Sequence, residues 1–217
     1  MKSKKPRISI VDYGVGNLRS ITRAFGYCGA DISITEDAAS VMKSDAIVLP
    51  GDGAFAAGMD GLKVRNLTGA ILKFANSKKP ILGICLGAQI LMTVGFEFGR
   101  HQGLNLIPGK VVKFDEKVGE KVPQIGWNRI SLAKGKSFNG TILAGIKPGS
   151  NVYFIHSYVV VPKSAKNILS TTKYGNSEFC SVVYDGKIYG CQFHPEKSGT
   201  AGLKIIKNFI KIVQKKS

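Results

Sequence analysis

The sequence is short of acid. Asp and Glu number 14 against 31 Lys and Arg, a formal net charge of +17 over 217 residues. Such an excess bears on solubility and partners, not on fold. It admits nucleic acid, a phosphorylated substrate or an acidic protein face. Its basic clusters, Lys2–Arg7 and Lys204–Lys216, are modest, and no basic-aromatic motif accompanies them. Solvated lysines are therefore the preferred reading, and nucleic acid is not expected.

Other absences narrow the field further. The four cysteines, Cys28, Cys85, Cys180 and Cys191, include no Cys-x-x-Cys pair. Neither a spacing-defined zinc site nor a dithiol redox pair is indicated, and no metal or cofactor is expected. Apolar runs such as Ile81–Leu86 fall far short of the roughly 20 residues that span a bilayer. The basic start, Met1–Arg7, leads into Ile8–Val11 and then at once Asp12, leaving no signal-peptide core. A cytoplasmic protein away from membranes is expected. No repeat, low-complexity tract or linker appears, so residues 1–217 are expected to form one domain.

What is present is a regular alternation. Arg7–Tyr13 reads as a strand, and Asn17 caps a helix running to about Cys28, closed by Gly29. Asp31–Thr35 and Asp45–Leu49 read as strands, Pro50–Phe55 as a Gly-rich loop and Lys63–Asn76 as a helix. Pro80–Ile84 is a short buried strand and Leu86–Val94 a helix. Strands alternating with helices imply parallel βαβ units. The pattern then changes to strands at Val111–Phe114, Val122–Ile130, Val152–Val161, Ile168–Thr172 and Phe179–Phe193, with a hairpin tip at Asp185-Gly186. A last helix, Gly199–Gln214, carries an apolar stripe at Leu203, Ile206, Ile210 and Val213. The expected fold is α/β: an open, flavodoxin-like, mostly parallel sheet with helices on both faces and an antiparallel extension.

Chemistry concentrates at Gly83-Ile-Cys85-Leu-Gly87. Gly-x-nucleophile-x-Gly between a strand and a helix describes a nucleophile elbow. The glycines permit a cramped turn that lifts the central side chain above the sheet. The helix that follows offers free N–H groups and positive dipole, a setting that stabilises negative charge near the sulfur. A cysteine nucleophile needs a base, and the base an orienting group. Of three histidines, His101 reads as an exposed loop residue and His156 as a structural one on a strand. His194, in Gln-Phe-His-Pro-Glu196, ends a buried strand, with Glu196 two residues on and able to lie on the same side. Cys85, His194 and Glu196 are therefore the expected catalytic triad. Pro50-Gly-Asp-Gly53 follows a strand directly, where its backbone can stabilise an oxyanion. Gly14-Val-Gly16-Asn-Leu-Arg19 lacks the third glycine of a dinucleotide fingerprint and is a weak match.

These segments resemble the triad class of glutamine amidotransferases, and within it the glutaminase subunits of imidazole glycerol phosphate synthase. The resemblance rests on Val11–Leu18, Leu49–Phe55, Gly83–Gln89, Gln124–Asn128, Tyr153–Tyr158 and Gln192–Gly199. It implies that Cys85 attacks the glutamine side-chain amide through a thioester, His194 shuttles the proton and Glu196 orients His194. It implies an oxyanion site from Gly51, Asp52, Gly53 and the Leu86 N–H, with Gln89, Ser157 and Tyr158 around the substrate. Asn17, Trp127, Asn128, Tyr153 and Lys197 match positions near the synthase interface. The implied partner is a HisF-like (β/α)8-barrel cyclase in a heterodimer, which receives the ammonia.

The chain departs from this pattern at Asp52, where Val is usual, and at Ala54, Ala88 and Gln124. A carboxylate at 52 opposes negative charge at the oxyanion unless it faces solvent. These departures keep open a paralogue whose synthase amidates a surface-polysaccharide sugar. A basic nucleic-acid-binding module and a cysteine peptidase of the same fold are the remaining classes, and fewer residues support them.

Overall fold

A computed structural model describes residues 5–115 and 118–215. Most of the basic N-terminal segment and Lys216 lie outside the described residues. Five parallel strands form the centre: β1 (Arg7–Val11), β2 (Asp31–Thr35), β3 (Ala46–Leu49), β4 (Ile81–Ile84) and, late in the chain, β14 (Ile188–Cys191), ordered β2-β1-β3-β4-β14. The helices between them are α1 (Leu18–Tyr27), α2 (Ala38–Lys43), α3 (Phe55–Val64), α4 (Leu67–Asn76) and α5 (Leu86–Ile90).

Alternation along these strands builds two cores. Ile8, Ile10, Val48, Leu82 and Ile84 face one side and join Ile21 and Phe25 of α1 and Ile205, Ile206 and Phe209 of α6 (Gly199–Gln214). Val11, Ile47, Leu49 and Ile81 face the other and join α3, α4 and α5. A sheet buried on both faces must read as nearly continuous apolar strands, as β3 and β4 do. The buried stripe of α6 is Ile205, Ile206, Phe209 and Ile210, while Leu203 and Val213 are only partly covered. Burying each such side chain contributes roughly 1.5–3 kcal/mol.

The expected antiparallel extension is present. The sheet continues from β14 to β13 (Ser177–Asp185), β11 (Tyr158–Pro162) and β7 (Gly109–Lys113), all antiparallel. The short strands β5 (Val94–Gly95) and β6 (His101–Gln102) close that edge, and β12 (Ile168–Tyr174) joins β13 to β9 (Ser131–Leu132). One segment leaves the sheet. The run read as a single strand over Val152–Val161 breaks at Ser157. Its first half, β10 (Asn151–His156), pairs with β8 (Gln124–Arg129) in a separate two-stranded sheet.

Other expectations shift for physical reasons. Helix α3 begins at Phe55, inside the expected loop, because the Glu97 carboxylate accepts the Phe55 N–H at 2.7 Å. A free helix-start donor meets a carboxylate 42 residues away. The helix expected over Lys63–Asn76 is broken by Asn66 at φ 55°, a left-handed conformation that Asn tolerates. Helix α5 stops at Ile90 rather than Val94. The carbonyls of Ile90, Leu91 and Met92 are taken by N–H groups of residues 104–107. His101, expected in an exposed loop, is half-buried in β6.

Candidate active site

Three neighbouring strands, β3, β4 and β14, end at one place, the carboxyl edge where open α/β sheets take ligands. Cys85 follows β4 directly. Its N–H donates to the Cys191 carbonyl at 2.7 Å, so the elbow hangs from the strand that leads to His194. Cys85 has φ 52° and ψ −108°, a backbone conformation that L-residues rarely adopt. The flanking glycines permit it. A Cβ on Gly83 would stand 2.5 Å from the Gly87 carbonyl oxygen, and one on Gly87 would stand 1.9 Å from that of Leu49. A Cβ on Gly51 would meet Leu86 Cβ at 2.5 Å, so the loop after β3 lies tight against the elbow. The buried Tyr13 hydroxyl donates to the Pro50 carbonyl and tethers that loop.

His194 is buried, and its N–H donates to the Tyr153 carbonyl at 2.9 Å. Nδ1 lies 2.7 Å from Glu196 Oε1. A carboxylate only accepts, so Nδ1 carries a proton, and Nε2 is the ring atom left to exchange one with Cys85. Strand alternation does not bring Glu196 there: β14 ends at Cys191, and a single 3-10 turn, Pro195–Lys197, folds the carboxylate back. Ser198 braces the turn. Its hydroxyl donates to the His194 carbonyl at 2.6 Å and accepts the Tyr153 N–H at 2.9 Å. His194 Nε2 lies within 4.8 Å of Cys85 Sγ, a looser contact than a formed hydrogen bond and usual for a site without substrate. Burial works against a charged ring, the Cys85 sulfur and the Glu196 carboxylate work for it, and the balance pushes His194 up to about 10.

His156 shows the opposite response. Burial, opposed by the Nδ1 hydrogen bond to the Tyr158 carbonyl at 2.9 Å, pushes it down to about 4. Its ring lies 5.1 Å from those of Phe114 and Phe179, so it is the structural histidine expected. All four cysteines are free thiols. Burial pushes Cys28, Cys180 and Cys191 up, which keeps those three as neutral thiols.

A cleft of about 520 Å³ opens onto Cys85, lined by Asp52, Leu86, Gln89, Glu97, Ser157 and Tyr158 among others. The Ser157 corner between β10 and β11 brings in the last two, and Cys85 Sγ lies 3.6 Å from the Ile155 carbonyl beside it. Gln89 Nε2 already donates to the Tyr158 carbonyl at 3.1 Å, so only its Oε1 faces a ligand as a free acceptor. Asp52 does not simply face solvent. Its side chain is 46% exposed, yet Oδ1 lies 3.7 Å from His194 Nε2. Glu97 and Tyr13 escaped sequence reasoning, because only the fold brings them to this site.

The expected interface residues divide. Trp127 is 57% exposed on the outward face of β8, with its ring 6.1 Å from that of Tyr153. Lys197 Nζ sits 6.0 Å above the Tyr153 ring and also lines the cleft, joining this apolar face to Cys85. Asn128 departs from the group. Alternation along β8 turns it to the opposite face, where Nδ2 donates to the Lys173 carbonyl at 2.9 Å. Asn17 is exposed but spends its side chain as the cap of α1, accepting from the Ser20 N–H.

Comparison with known proteins agrees with this geometry. Residues 9–213 match the model of the family "Glutamine amidotransferase class-I". The chain is 46% identical over 210 residues to imidazole glycerol phosphate synthase subunit HisH 1 of Legionella pneumophila strain Paris, covering 94% of this chain and 99% of that one. It is 42% identical over 208 residues to subunit HisH of Geobacter sulfurreducens, covering 94% and 97%. Among solved structures, PurLQS from Thermotoga maritima superposes with a TM-score of 0.72 at 22% identity, covering 96% of this chain and 99% of that chain. A glutamine amidotransferase from the same organism gives 0.68 at 15%, covering 98% and 100%. At these identities the structural likeness speaks to the fold.

Proposed function

The chain belongs to the class-I glutamine amidotransferase family, and from that premise we propose that it is the glutaminase subunit of an imidazole glycerol phosphate synthase in histidine biosynthesis, acting as one unit over residues 1–217. The alignment of Cys85, His194 and Glu196 at the ends of β4 and β14 carries this reading. Relatives with the synthase name match nearly the whole chain, which supports it over the polysaccharide alternative.

Glutamine enters the cleft with its side-chain amide at Cys85. Sγ attacks the amide carbon, and the Leu86 N–H with the backbone of Gly51–Gly53 stabilises the oxyanion. The C–N bond breaks as His194 delivers the thiol proton to departing ammonia, leaving a thioester. Water then attacks, His194 takes its proton, and glutamate leaves. The Glu97 carboxylate, which also lines the cleft, suits the α-ammonium of glutamine. Gln89 Oε1, Ser157 and Tyr158 complete the contacts. The partner is a HisF-like (β/α)8 cyclase that docks on the Trp127–Tyr153–Lys197 face and takes up the ammonia.

The test is steady-state glutaminase kinetics on the chain alone, with the cyclase, and with cyclase plus its acceptor ligand. With a glycine on either side of Asp52, a peptide of this loop can turn its N–H to the oxyanion only on docking, and gaining that one donor raises kcat by about 100- to 1000-fold. Full activity of the isolated chain, unchanged by both additions, would overturn the reading.

A further inference from the structure

The Asp52 side chain lines the cleft but takes no part in the steps of glutamine hydrolysis set out above. Its Oδ1, Cys85 Sγ and His194 Nε2 all lie within 4.8 Å of one another. Thiolate, imidazole and carboxylate are the three ligand types that zinc takes. A tetrahedral zinc ion holds such atoms about 3.3–3.6 Å apart, given bonds of about 2.0–2.3 Å. The Asp52–His194 separation of 3.7 Å is already close to that.

Both His194 and Asp52 are prepared for such a site. His194 is 2% exposed, yet its Nε2 has no hydrogen-bond partner among the described residues. Its other ring nitrogen donates to Glu196, whose side chain is 1% exposed. A carboxylate behind the imidazole is the arrangement that orients metal-bound histidines. The Asp52–His194 separation needs only a few tenths of an ångström, which the half-exposed Asp52 side chain supplies by turning about its own torsions, and Sγ, within 4.8 Å of both atoms, closes the remainder by turning about the Cys85 Cα–Cβ bond.

We propose that Asp52, Cys85 and His194 form a site for a zinc-class divalent cation that reversibly closes the nucleophile to glutamine. The ion takes the lone pairs of Sγ and Nε2, which are the two that attack and proton transfer require. The one proton these atoms share leaves to solvent. The fourth position faces the cleft and takes water. Cysteine spacing in the sequence gives no sign of this site, because its ligands come from three separate strand ends.

The experiment uses the full chain and Zn2+ in competition with a chromophoric chelator, with Co2+ as the spectroscopic probe. The wild type should bind one ion and show a thiolate-to-cobalt charge-transfer band. Asp52→Ala should weaken Zn2+ binding by at least about tenfold, since even loss of an outer-shell partner commonly costs 10- to 100-fold. Cys85→Ser, nearly isosteric, should abolish the band. No binding by the wild type, unchanged affinity in Asp52→Ala, or a band that survives Cys85→Ser would each overturn the proposal. Glutamine turnover by a chain that binds no zinc would overturn it while leaving the glutaminase reading intact.

Discussion

Replacing Glu196 with Gln separates the charge of the orienting group from its shape. The Glu196 side chain is 1% exposed, that of His194 3%, and the two meet at 2.7 Å. The carboxylate holds the proton on Nδ1 and supports the positive ring formed when His194 takes the thiol proton. An amide of the same size can turn its NH2 toward Nδ1, which moves the ring proton to Nε2 and removes the base. In the serine-protease triad, the equivalent change from Asp to Asn lowers kcat about 10⁴-fold, near 5.5 kcal/mol. We expect about 10³- to 10⁴-fold here by the same reasoning. The assay is glutamine-dependent turnover of the variant in complex with its synthase. His194 is held up at about 10 partly by Glu196, so its titration should also move down in the variant. A variant retaining more than about a tenth of wild-type kcat/KM, with His194 titrating as before, would refute this role.

Two further outcomes concern stability. His156 titrates near 4 in the fold against an ordinary 6.5. The unfolded chain therefore binds a proton that the folded chain refuses between those values. Stability is full above 6.5 and falls as pH drops toward 4, by about 3 kcal/mol in all. Denaturant unfolding across that range should show the loss, and a His156→Gln variant with the same acid slope would count against it. Gly87→Ala drives a methyl to 1.9 Å from the Leu49 carbonyl oxygen. Overpacking of this kind costs typically about 1–3 kcal/mol, or about 2–12 °C in Tm for a chain of this size; an unchanged melting curve would contradict the cramped elbow.

Features that depend on local pattern were legible before the fold. The central strands, the capping of α1 by Asn17, the turn at Cys85 and the pairing of His194 with Glu196 all sit within short stretches whose chemistry is self-contained. What was hidden depends on distant partners. The start of α3 is set by Glu97, the end of α5 by N–H groups of residues 104–107, and the anchoring of Pro50 by Tyr13. The corner at Ser157 was invisible because Val152–Val161 keeps its strand character while the two halves join different sheets. Asp52 illustrates the limit most sharply. Its departure from the family pattern is plain in the sequence, but its approach to His194 exists only where β3, β4 and β14 end together.

The central claim is that Cys85 is the nucleophile. The direct measurement compares wild type and Cys85→Ser, each in complex with the synthase, for product formation from glutamine and from added ammonium. Glutamine-dependent turnover should vanish in the variant while ammonium-dependent turnover persists, because the synthase is intact and only the ammonia supply is lost. Glutamine-dependent turnover that survives in Cys85→Ser would contradict the account.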